Sequence, residues 1–83
     1  MGQVVYVVRF AHGRGNGGFT YTKLFRVYGS REGAQRYVEQ FIRISEGVDL
    51  EIEGDNYYFY LVEGGERELV RASIEEVDVL GSF

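Results

Sequence analysis

Three stretches of the chain carry side chains whose types and spacing could do chemistry. The first, "RFAHGRGNGGFTYT" (residues 9–22), sets the only histidine, His12, and Arg14 among glycines at 13, 15, 17 and 18. The second, "VDLEIE" (48–53), repeats a carboxylate at every other position, Asp49, Glu51 and Glu53. The third, "NYYFY" (56–60), places Tyr57, Tyr58, Phe59 and Tyr60 in succession.

A phosphate cradle needs its glycines between a strand and a helix, so that the phosphate meets the helix N-terminus. Here they are followed by "FTYTKLFRVY", which alternates like a strand. The order G-R-G-N-G-G also fits neither the dinucleotide fingerprint nor the Walker pattern. The stretch reads as a hairpin tip, where Gly takes positive φ without steric cost, and Arg14 on it is placed to reach a carboxylate or phosphate of a partner. His12 has no sequence-local nucleophile or orienting carboxylate for acid–base work. The chain has no Cys, so a metal at His12 would need carboxylates alone. These residues predict neither an enzyme nor a cofactor or metal site.

A period of two puts Asp49, Glu51 and Glu53 on one strand face, about 7 Å apart. Three readings stay open. A hard cation is one, although a straight row does not converge as Ca²⁺ ligands do. A solvated strand face or edge, where charge deters aggregation, is the second. The third is an acidic strip for a basic partner. In "NYYFY", Tyr57 and Phe59 share one side and Tyr58 and Tyr60 the other, so only one pair can fill the core. The other pair is expected on an open sheet face, together with Tyr21 or Tyr6. Tyrosine suits interfaces because it joins a large apolar ring to a polar tip. Stacking on single-stranded RNA would need basic neighbours.

Charge is divided along the chain. Residues 1–47 carry seven Arg and Lys against three Glu, a net of +4. Residues 48–83 carry ten acids against Arg67 and Arg71, a net of −8. Opposite halves predict a bipolar surface, or halves that complement each other within the fold or across a dimer. The absence of Cys fits a reducing compartment. The N-terminus has neither the basic start nor the apolar run of a signal peptide, and no stretch approaches the ~20 apolar residues of a membrane span. A cytoplasmic protein without a membrane partner is expected.

The elements that must position these residues follow from periodicity. "QVVYVVRF" (3–10) is β-branched and aromatic on both faces, which predicts a central strand. It is expected to pair with 19–28 as a long antiparallel hairpin. Ser30 then caps a helix whose apolar stripe is Ala34, Tyr37, Val38, Phe41 and Ile42, and Gly47 is expected to end it as a left-handed cap. Residues 48–53 and 57–63 form a second hairpin about "GDN", with Val48, Leu50 and Ile52 inward, and 66–72 extend the meander after Gly64-Gly65. In the last segment, "SIEEVDVLGSF" (73–83), Ser73 and Glu76 match a capping box while Val77 and Val79 alternate with Asp78, so a turn followed by a short strand is expected. The sum is one domain (1–83) of the α+β class: an antiparallel sheet of four to six strands in the order β-β-α-β-β-β, with one amphipathic helix on one face and the other face open.

The segment "RVYGSREGAQRYVEQF", through Val27, Tyr28, Ser30, Glu32, Ala34 and Tyr37, resembles the helix entry of many small phage and prophage proteins. Small acidic, cysteine-free proteins of this architecture include the anti-CRISPR proteins, and the resemblance implies a stoichiometric inhibitor without catalysis. With the residue reading, it predicts a protein-binding module that blocks a basic nucleic-acid-handling complex. The partner-binding residues expected are Asp49, Glu51, Glu53, Asp55, Tyr58, Tyr60, Glu63 and Arg14. The alternatives are a nucleic-acid-binding module using Arg9, Arg14, Lys23, Arg26 and Arg36, and a homo-oligomeric structural or regulatory domain, with a homodimer as one form.

Overall fold

In the computed structural model, which describes residues 3–13 and 19–79, alternation becomes five strands and the helical stripe becomes one helix. The order is β1 (Gln3–Gly13), β2 (Phe19–Tyr28), α1 (Arg31–Ile44), β3 (Val48–Glu53), β4 (Asn56–Glu63) and β5 (Glu66–Val79). The strands form one antiparallel sheet, β2-β1-β5-β4-β3. The chain is therefore α+β with the β-β-α-β-β-β order that periodicity predicts, and β1 is flanked on both sides. Among the described residues no helix is long and apolar enough to cross a membrane.

The helix begins where Ser30 predicts. Its hydroxyl accepts a hydrogen bond from the Gly33 N–H at 3.1 Å, satisfying a first-turn donor that has no intrahelical partner. The stripe Ala34, Val38 and Ile42 is buried against Val8, Phe10, Tyr57, Phe59, Val70, Ala72 and Ile74. Tyr37 and Phe41 flank it, with the Phe41 ring tilted against Phe10 at 4.5 Å and edge-on to Phe59 at 6.2 Å.

The helix ends differently from the expected glycine cap. Glu46, not Gly47, takes the left-handed conformation, with φ 58°. Its N–H reaches the Arg43 carbonyl and that of Gly47 the Ile42 carbonyl, the paired bonds of a Schellman motif. Gly47 serves close approach instead: a Cβ there would lie 2.7 Å from Phe59 Cδ2 and 3.1 Å from Ile42 Cγ2.

The expected turn at Ser73 is also corrected. β5 runs unbroken for 14 residues, because 69–79 pairs residue for residue with all of β1. A ladder of that length outweighs a local capping pattern. Ser73 lies opposite Arg9 on one side and Asn56 on the other.

Helix and sheet differ in size, and that leaves surface open. Fourteen residues of helix reach about 21 Å, against a longest dimension of 51 Å. The helix lies against β1, β2 and β5, and β3 falls outside its cover. All six β3 residues are exposed, including Leu50 (44%) and Ile52 (59%), which the alternation would place inward.

Candidate protein-interaction face

The sheet face away from α1 is set by register. Val5, Val7, Arg9 and Ala11 of β1 point to it, since their alternates Tyr6, Val8 and Phe10 lie with the helix. Across the sheet the same face takes Phe25 and Val27 of β2, Arg67, Leu69, Arg71, Ser73 and Glu75 of β5, and Asn56, Tyr58, Tyr60 and Val62 of β4. Tyr57 and Phe59 fill the core, and Tyr58 and Tyr60 are half-buried on the open side. Tyr6 does not join them. It lies on the helix side, where its hydroxyl donates to Glu76 Oε1 at 3.1 Å and the Arg31 guanidinium sits 5.0 Å over its ring. The side chain of Tyr21 is outside what the structure describes.

The three carboxylates of β3 do not form the straight row that strict alternation implies. The register slips between Val48 and Glu51, and Asp49 takes a left-handed φ of 55°. This is a β-bulge, two residues facing one on the partner strand. Val48 then lies opposite Tyr60, Glu51 opposite Tyr58 and Glu53 opposite Asn56, all on the open face. Asp49 pairs with Arg67, whose guanidinium lies 4.4 Å over the Tyr60 ring. One of the three charges is thus neutralised within the chain.

Rows across the sheet give the face a polarity. One row reads Glu51, Tyr58, Arg71, Ala11; another reads Glu53, Asn56, Ser73, Arg9. Acid stands at β3, tyrosine just inside it, and arginine two to three strands further, roughly 10–14 Å away at ordinary strand spacing. Arg9 itself pairs loosely with Glu75 at 3.9 Å. The face is bipolar rather than uniformly acidic, and Arg67 and Arg71 are members that sequence reasoning missed. Only the strand order reveals them, because both lie in the acidic half of the chain.

The other expected residues sit elsewhere. Asp55, in the β3–β4 turn, pairs with Arg31 at the start of the helix, and its carbonyl accepts from the Ile74 N–H at 3.0 Å. Glu63 faces Glu66 at the far end of the β4–β5 hairpin, with side-chain parity toward the helix side. His12 is paired with Glu68, also on the helix side. Arg14 lies outside the described residues. Of the five basic residues for nucleic acid, Arg9 is on the open face, Arg26 lies by Tyr37 on the helix side, and Arg36 is exposed on the helix. These three make no common track. Among the described residues two groups carry shifted acidity. Burial, with Glu39 and Asp55 nearby, pushes the Tyr57 phenol up, and the hydrogen bond to Asp55 pushes Arg31 up.

Comparison of the chain with protein-family models, with curated proteins and with solved structures finds no match.

Proposed function

We propose that the chain is a non-enzymatic protein-binding module that docks through its helix-free sheet face. Tyr58 and Tyr60 are the anchors, and Glu51 and Glu53 are the charged rim that meets a basic partner. The reading extends to a stoichiometric inhibitor of anti-CRISPR type, which occupies a basic surface of a nucleic-acid-handling complex. The observation that carries it is the juxtaposition of two half-buried tyrosines with Glu51, Glu53 and the exposed Val48 and Val62 on one uncovered face. Aromatic anchors inside a polar rim are the usual anatomy of a protein contact.

The test is affinity capture from host lysate with matched variants. Glu51→Lys/Glu53→Lys should lower partner recovery by about tenfold or more through charge reversal at the rim, and Tyr58→Ala should lower it without changing salt dependence. Unchanged recovery by a folded Glu51→Lys/Glu53→Lys protein removes the acidic rim from the reading. The bipolar rows favour one other occupant, a second copy related by a two-fold axis, with Glu51 and Glu53 facing Arg9 and Arg71. Sedimentation equilibrium separates the two: a monomer at high concentration excludes the dimer.

A further inference from the structure

The strand order leaves β2 at one edge of the sheet, paired with β1 alone. Beside it runs a groove of about 400 Å³ lined by Phe10, Phe25, Arg26, Val27, Tyr28 and Tyr37. The lining wraps the edge. Arg26 and Tyr28 reach it from the helix side with Phe10 and Tyr37, whereas Phe25 and Val27 belong to the open face and are 63% and 52% exposed. Among the described residues, Arg26 is the single charged residue of the lining. Its guanidinium is held 5.2 Å over the Tyr37 ring, and no carboxylate pairs with it among the described residues.

We propose that this edge and groove are a docking site for an extended acidic segment of a partner protein, added to the sheet as a further strand beside β2. Alternate residues of an edge strand turn their N–H and C=O groups outward, ready to pair with an incoming strand. Backbone pairing of this kind gives affinity, and pockets for alternate side chains give specificity. A strand beside Phe25–Tyr28 sends one set of side chains to the Arg26 and Tyr37 side and the other to Phe25 and Val27. The chemistry on the two sides selects carboxylates for the first set and apolar side chains for the second. A cation that no described carboxylate pairs with, in a lining whose described residues include no acid, supplies the charge complementarity. The site shares only Phe25 and Val27 with the open face and lies at the sheet edge opposite β3, which carries Glu51 and Glu53, so it stands whether or not that reading holds.

The experiment titrates the isotope-labelled protein with two acetylated, amidated heptapeptides, TVEVEVT and TVKVKVT, and follows amide shifts by NMR. The expected result is saturable shifts at 25–28 and at Phe10 and Tyr37 with the glutamate peptide, and at least about tenfold weaker binding of the lysine peptide. In Arg26→Glu, an exposed substitution, the preference should invert toward the lysine peptide, an outcome that loss of structure does not produce. In Glu51→Lys/Glu53→Lys, both affinities should be unchanged. No saturable shift at β2, equal binding of both peptides, or an Arg26→Glu protein that keeps the glutamate preference overturns the proposal. Two further results also overturn it: concentration-dependent self-association with shifts at both β2 and β3, which makes a second copy the occupant, and shifts at β2 with a single-stranded oligonucleotide but not with peptide.

Discussion

Arg67 of β5 reaches across β4 to pair with Asp49 of β3, and on the way its guanidinium lies 4.4 Å over the ring of Tyr60. Three strands are tied by one side chain at the point where the bulge sits. All three partners are solvent-accessible, so the tie adds little to stability: exposed ion pairs contribute about 0–1 kcal/mol and an exposed cation–π contact is of similar size. Its larger effect is on surface charge, because it removes Asp49 from the acidic rim. Arg67→Ala should therefore change the denaturation midpoint only slightly. It should also raise affinity for an oligo-lysine peptide severalfold at low ionic strength, with the gain lost in high salt. Calorimetric titration at two salt concentrations checks both parts.

The helix C-terminus offers a pair of opposite outcomes at adjacent residues. Glu46 holds φ 58°, a conformation that is unfavourable by roughly 1–2 kcal/mol for a residue with a Cβ. Glycine removes that strain but has more freedom to lose on folding, an effect of about 0.4–1 kcal/mol. Glu46→Gly should thus stabilise the protein by about 0.5–1 kcal/mol, a rise in Tm of several degrees for a domain of this size. Gly47→Ala should do the reverse by about 1–3 kcal/mol, because its new Cβ would meet the buried Phe59 ring at 2.7 Å. Thermal melts of the two variants decide it, and similar melting points would overturn the assignment of roles.

These two residues also show where the chain was legible. The amphipathic stripe Ala34, Val38 and Ile42 and the Ser30 cap are local signals, and the helix starts where they place it. The order of elements along the chain is legible for the same reason, since alternation marks each strand independently. Glycine is the usual left-handed residue, so Gly47 drew the cap that Glu46 forms one position earlier. The same bias hid the bulge: "VDLEIE" alternates without a glycine, and Asp49 takes the left-handed position itself. Ser73 and Glu76 carry a capping pattern with no helix, because pairing of β5 along all of β1 decides their conformation. The site was half legible. Periodicity separates Tyr58 and Tyr60 from Tyr57 and Phe59, whereas the arrival of Arg67 and Arg71 on the same face depends on strand order, which no local pattern encodes.

Tyr57 gives the protein a pH dependence at the alkaline end. Its ring is buried beneath the helix, 5% exposed, and burial, with Glu39 and Asp55 nearby, raises its phenol above the ordinary value of 10.0. In the unfolded chain the phenol ionises near that ordinary value, while the folded protein still holds the proton. Folded protein then binds more protons than unfolded, so stability is complete below pH 10.0 and falls as pH rises from there through the folded value. Tyr57→Phe removes the group that titrates and keeps the ring. Its unfolding free energy should decline less steeply above pH 10.0 than that of the wild type. Urea denaturation of the two proteins across the alkaline range measures the difference. Parallel curves would mean that the buried phenol is not the group whose ionisation opens the fold.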